Sequence, residues 1–215
     1  MNSRLERGSS DGSPYVEAEL ANYGRTFFFT VMENVNTSDN YSQTTRSDLL
    51  KKMEHILRNS WKGSSSLHCI SEIIPHILFI SNPRYAIQSK LRRSFGITHI
   101  INIDNENMYF TNDWMRRNNT KVLNTGKPRA AKSYYKTTTQ FIEDAIQKNG
   151  KVLVICSSGQ NKSVAVCISY FLMRHLNPLS LENSIKRVCK ARRPVLTDSF
   201  YLNQLVDLSF TIKRT

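Results

Sequence analysis

Residues 151–163 read KVLVICSSGQNKS, an apolar run that ends in Cys156 and passes through a small polar loop to Lys162 and Ser163. The stretch that follows, SVAVCISYFLMRHL, reads as a helix that is apolar nearly all round and therefore buried. A short loop between a buried strand and the N-terminus of a buried helix turns unpaired backbone N–H groups toward whatever lies above the strand end, and such a nest holds an oxyanion. Lys162 adds a positive charge to it. Nucleotide binding of the Walker A kind needs Gly-Lys-[Ser/Thr], whereas Asn161 precedes Lys162 here, so nucleotide hydrolysis is set aside. What remains is a phosphate cradle that either performs chemistry or has lost it.

The elements that must position this loop are readable on both sides of it. EIIPHILFIS reads as one or two short strands, YAIQSKLRRSFG as a helix stopped by Gly96, and ITHIINI as a buried strand rich in β-branched residues. YYKTTTQFIEDAIQKNG places Phe141, Ile142, Ala145 and Ile146 at helical spacing and stops at Gly150. SLENSIKRVCKARRP starts a helix at Ser180, buries Leu181, Ile185 and Val188, and ends before Pro194. Alternating strands and helices of these lengths predict one α/β domain, a central, mostly parallel sheet flanked by helices. Upstream, RSDLLKKMEHILRNSW sets Leu49, Leu50, Met53, Ile56 and Leu57 on one face of an amphipathic helix with Ser47 as its N-cap. The expected organisation is a loosely ordered extension over 1–46, broken by the apolar RTFFFTVM, then the helix and its linker over 47–66, then the domain over 67–215.

The chain of 215 residues carries a net charge of +13, and all of that excess lies in residues 65–215, with 22 Lys and Arg against 9 Asp and Glu. The domain therefore attracts anions, or keeps a solvated basic surface. No apolar run is long enough to cross a membrane, and the polar MNSRLERGSS start is unlike a signal peptide. Four well-separated cysteines fit neither a zinc site nor a disulfide scaffold and predict a reducing compartment, the cytosol or nucleus. Cys167 and Cys189 fall on apolar helical faces and read as core; His68, His76, His99 and His175 follow no ligand spacing, so no metal and no cofactor is expected.

In its order of elements, residues 68–209 resemble a dual-specificity protein phosphatase domain: EIIPHILFIS its opening strands, FGITHIINI the strand after its first helix, KVLVICSSGQNKSVAVCISYFLM its strand, phosphate loop and helix, and KARRP with NQL its end. GITHIINI and GKVLV resemble most the serine/threonine/tyrosine-interacting branch, which is known for noncatalytic domains. The resemblance implies a C-x5-R-[Ser/Thr] phosphate loop with Cys156 as nucleophile. It also implies a His before that Cys, an Arg closing the loop and an Asp on an earlier loop that protonates the leaving group. Here those three positions hold Ile155, Lys162 and, across VLNTGKPRAAKSYYK, no acid at all.

Each departure has a chemical meaning. A guanidinium grips a phosphoryl group through two parallel N–H bonds, whereas the Lys162 ammonium is a point charge that binds but orients poorly. Ile155 has no ring N–H to organise the loop. Loss of a general acid costs about 10²–10⁴ in rate, and loss of a transition-state donor roughly 10²–10³ more. The first reading is thus a pseudophosphatase that binds a phosphorylated protein, or a kinase or phosphatase partner. Its cradle is Ser157, Ser158, Gly159, Gln160, Asn161, Lys162 and Ser163 acting through backbone N–H groups, over Cys156 as a vestigial nucleophile. A second reading is a slow or specialised phosphatase that uses Cys156 and takes its acid from Asp104, Glu106 or Asp113. A third, prompted by the charge, is a binder of RNA ends or phosphoinositides, although aromatic and basic residues do not interleave near the loop. Lys127, Arg129 and Lys132 form either a solvated turn or a basic rim to the pocket, and Arg192 and Arg193 read as complements to a helix dipole.

Overall fold

Three strands explain why the loop has a rigid base. The computed structural model describes residues 44–62, 69–104, 110–126 and 131–212, all within one unit, Thr44–Thr215. Strands β2 (Leu78–Ser81), β3 (His99–Asn102) and β5 (Val152–Ile155) are buried at every position. They do not alternate between polar and apolar residues because helices cover both faces of the sheet. Alternation shows instead in which core each side chain joins. Leu78, Ile80, Ile101, Val152 and Val154 enter the larger core, while Phe79, Ile100, Leu153 and Ile155 enter a second one on the opposite face. The sheet order is β1-β2-β5-β3-β4, with β1 (Ile70–Ile74) antiparallel to β2 and all other pairs parallel, β4 being Lys121–Asn124. The α/β architecture is the one the alternating pattern predicts.

The helices depart from the sequence reading in detail. Helix α1 (Arg46–Trp61) is capped by Thr45, not Ser47; the Thr45 hydroxyl takes the Asp48 N–H while the Asp48 side chain reaches back, a reciprocal pair that Ser47 is placed too late to make. The predicted single helix after β2 is two short ones, α2 (Pro83–Ala86) and α3 (Ser89–Phe95), the second closed by Gly96 at φ +66°. Helix α4 (Asn112–Asn118) and strand β4 have no counterpart in the sequence reading. Then come α5 (Ala131–Gln147), α6 (Lys162–Met173), α7 (Leu181–Ala191) and α8 (Ser199–Ile212). The extension 1–43, the linker residues 63–66, His68, Glu106, Lys127 and Arg129 lie outside the described residues.

Helix α1 buries Met53 and Leu57 completely against α7 and α8, with Leu49, Leu50 and Ile56 partly buried beside them. Full burial of two such side chains contributes about 1.5–3 kcal/mol each. Polar ties fix its angle: Arg46 to Asp207 at 2.5 Å, Lys52 to Glu182 at 2.6 Å, and the Trp61 indole N–H to the Val195 carbonyl at 3.0 Å. Among the described residues no helix is long and apolar enough to cross a membrane.

Candidate functional site

Strand register brings the site residues together. Ser81 on β2 and Asn102 on β3 both stand level with Ile155 on β5, so the carboxyl ends of three strands lie side by side. The Ile103 N–H extends that pairing by one bond to the Ile155 carbonyl. The next residue on each chain is Asp104 and Cys156, and a carboxylate therefore arrives beside the loop 156–161 that leads into α6.

Beneath the loop every group is buried and bonded. Cys156 is 1% exposed; its Sγ accepts the Ser163 N–H at 3.4 Å and lies 3.2 Å from the Ser163 hydroxyl. The Gly159 N–H closes a turn onto the Cys156 carbonyl, with φ +64°. A Cβ at this position would stand 2.7 Å from Arg192 Nη2 and 3.0 Å from the Ser81 carbonyl, so space and backbone conformation both require glycine. Arg192, 2% exposed, donates from Nε to the Gly159 carbonyl at 2.6 Å and from Nη1 to the Ser71 hydroxyl at 2.8 Å. Burial lowers its pKa, and the Cys156 and Cys167 sulfurs oppose that shift. The sequence reading gave Arg192 to a helix dipole; its guanidinium instead supports the loop from below. Around the loop's end, the Leu196 N–H donates to the Gln160 carbonyl at 2.9 Å, and Asn161 Oδ1 accepts the Asp198 N–H at 3.1 Å.

The upper side is different. Asp104 Oδ2 accepts the Ser157 N–H, and Oδ1 meets Lys162 Nζ at 2.5 Å. The two side chains are 14% and 22% exposed, respectively. Burial alone would raise the Asp104 pKa, but the Lys162 hydrogen bond, the Ser157 N–H and the Lys162 charge outweigh it and hold the carboxyl below its usual range. Burial would likewise lower Lys162, and Asp104 outweighs it to raise the ammonium. Both stay charged at neutral pH. Tyr134 from α5 and Tyr201 from α8 stand within electrostatic reach of the pair. Tyr134, bonded to the Thr125 hydroxyl at 3.1 Å, is pushed up to about 12, chiefly by burial, with the nearby acidic groups adding.

Several expectations change at this point. Of the predicted cradle donors, the Ser157 N–H serves Asp104, the Gly159 N–H serves Cys156, the Gln160 N–H serves the Ser158 hydroxyl at 3.2 Å, and the Ser163 N–H serves the thiol. Asn161 bonds Thr197 and Asp198 through its side chain. Asp104 reaches the loop, as a candidate acid should, but as an ionised acceptor it has no proton to give at neutral pH. Asp113 is exposed at the start of α4 and bonded to Arg116. Ile155 is fully buried in the second core and offers the loop no side-chain hydrogen bond. Lys132 is exposed on the first turn of α5. Cys167 and Cys189 are core residues, as their faces predict, and burial raises both thiols.

Residues 78–209 match the family model for the dual specificity phosphatase catalytic domain, and the chain belongs to that family. It is 33% identical over 132 residues to human dual specificity protein phosphatase 14, across 60% of this chain and 64% of that protein. Over 143 residues it is 27% identical to dual specificity protein phosphatase Mpk3 of Drosophila melanogaster, across 65% of this chain and 33% of that protein. The chain thus spans about a third of one relative and just under two thirds of the other. A solved human tyrosine phosphatase-like serine/threonine/tyrosine-interacting protein shares the fold with a TM-score of 0.56 at 24% identity, covering 68% of this chain and 98% of that one. That likeness is one of fold.

Proposed function

We propose that this chain is a pseudophosphatase of the serine/threonine/tyrosine-interacting kind. In this reading it holds a phosphorylated protein, or a kinase or phosphatase partner, at the loop 156–163 in the cytosol or nucleus, and does not hydrolyse what it holds. The observation that carries the reading is the Lys162–Asp104 pair. The residue that should grip the transferred phosphoryl group is a lysine already neutralised by a carboxylate, and that carboxylate is ionised rather than ready to protonate a leaving group. Loop support from Arg192 and Gly159 is intact, which favours a retained binding role over decay of the site. A second reading, slow Cys156-dependent hydrolysis, draws on Ser163, whose N–H and hydroxyl both approach Sγ.

Turnover of a phosphotyrosine peptide by the wild-type chain and by Cys156→Ser separates the two. The pseudophosphatase reading expects equal, background rates from both, together with a preference for the phosphorylated over the unphosphorylated peptide that Lys162→Ala abolishes. A rate well above background that disappears in Cys156→Ser overturns it in favour of the second reading.

A further inference from the structure

We propose that Asp104 is a built-in ligand of the phosphate loop, so that an oxyanion enters only by displacing this carboxylate from Lys162 and Ser157, and does so with uptake of a proton. The proposal rests on the reading of the loop as an oxyanion cradle and specifies how that cradle selects its ligand.

The argument begins with the donors. An anion seated above the N-terminus of α6 needs the loop N–H groups and the Lys162 ammonium. The Ser157 N–H and the Lys162 Nζ are two of these donors, and one carboxylate takes both, an oxygen to each. Asp104 thereby occupies an anion's place: one negative charge, two acceptor oxygens, a backbone N–H and a cation. Its position is set by the sheet, because the β3–β5 register and the Ile103 to Ile155 bond bring residue 104 to the loop's edge whatever its type. Substituting another residue at 104 would leave the loop's underside, with Arg192, Gly159 and Ser163, untouched.

Two consequences follow. The apparent affinity for an oxyanion is the intrinsic affinity scaled by the fraction of molecules in which the cradle is open, so removing the internal competitor tightens binding without adding a contact. Displacement also changes the carboxyl's surroundings. In the closed state Lys162 and the Ser157 N–H favour the ionised form; once these donors hold an external dianion, Asp104 is left partly buried beside a like charge, which favours the protonated form. The groups that face Asp104 are Lys162 from α6, the Ser157 N–H of the loop, Tyr134 from α5 and Tyr201 from α8. Lys162 and both tyrosines have raised pKa values and keep constant charge across the carboxylate range. A ligand of fixed charge therefore binds more tightly as pH falls toward that range.

Sulfate is the suitable probe, because it remains a dianion where carboxylates titrate. Its affinity is read from the backbone amide signals of Ser157, Lys162 and Ser163 in the full-length chain. Asp104→Asn, which keeps the side chain's size and removes its charge, is expected to bind sulfate about tenfold more tightly near neutral pH, the scale of one charge-assisted contact exchanged. The wild-type affinity is expected to rise more steeply than that of Asp104→Asn as pH is lowered from about 7 to about 4.5, the histidines contributing equally to both. Equal or weaker binding by Asp104→Asn, or parallel pH profiles, shows Asp104 to be a mere support of the loop and overturns the proposal while leaving the cradle intact. If Asp104→Asn fails to fold, Asp104→Ser takes its place as the uncharged variant, and the same difference between the two pH profiles decides, because the histidines titrate in both proteins. No shift in either protein at any pH removes the cradle reading itself and this proposal with it.

Discussion

The floor of the phosphate loop and its mouth are built from different materials. The floor is made of Cys156, Gly159, Ser163 and Arg192, which lie at or near full burial with partners that are neutral or backbone, drawn from β1, the loop, the start of α6 and the end of α7. The mouth is a pair of opposite charges, partly exposed, contributed by the residue after Ile103 and the first residue of α6. The floor holds the loop in shape. The mouth decides what the loop can do once formed. On the proposed reading, an intact floor beneath a neutralised mouth binds an oxyanion without transferring it. The two regions should accordingly answer to mutation in different measurements, the floor in stability and the mouth in ligand affinity.

The sharpest way to break this comparison is at Arg192. Replacing it with Ala leaves the Gly159 carbonyl without its 2.6 Å donor and Ser71 without its 2.8 Å partner, and opens a cavity beneath the loop. Loss of about 2–4 kcal/mol of folding stability is expected, read from urea denaturation. A loss under about 0.5 kcal/mol, the size of an ordinary surface change, would mean that the floor is not the structural half of the site.

Gly159→Ala comes next. The new methyl group meets Arg192 Nη2 at 2.7 Å and the Ser81 carbonyl at 3.0 Å, at a backbone φ of +64° that alanine adopts only under strain. About 1–3 kcal/mol should be lost. Because the guanidinium head can shift while the Ser81 backbone cannot, the cost should fall when Gly159→Ala is combined with Arg192→Lys. A strictly additive pair would place the clash on Ser81 alone.

These two positions also mark what was legible in the sequence and what was not. Leu153, Val154 and Ile101 announce buried strands by type, and Cys156 with Gly159 announces a tight loop before a helix, because each of those signals is local. Thr45 against Ser47 as cap, and the break at Ile87–Gln88 between α2 and α3, are decided by one or two residues that leave the helical period intact. Strand β4 was hidden because it lies at the sheet edge with both ends exposed and only Val122 and Leu123 half-buried. The role of Arg192 is not legible in the sequence because its partners lie 33 and 121 residues away, in a turn and an edge strand that no spacing rule connects. The place of Asp104 after a strand marks it as near the loop, but its ionised state is not legible there, since Lys162, 58 residues on, helps to hold its charge.

The smallest effect belongs to the mouth, and its sign can be derived. Asp104→Asn removes one partner of an ion pair that is partly open to solvent, and Lys162, 22% exposed, can turn to water, so at neutral pH the stability should drop by about 1 kcal/mol or less. The Asp104 pKa in the folded chain lies below its ordinary value. The folded state therefore binds this proton less readily than the unfolded state, and stability from the pair is complete above the unfolded carboxyl's range and declines as pH falls through the folded value. Urea denaturation of both proteins across acid pH should show a constant gap above about pH 5 that closes below about pH 4. A gap that widens on acidification would mean that the carboxyl is held protonated in the folded chain. Asp104 would then be a proton donor beside Cys156, and the mouth would belong to a catalyst after all.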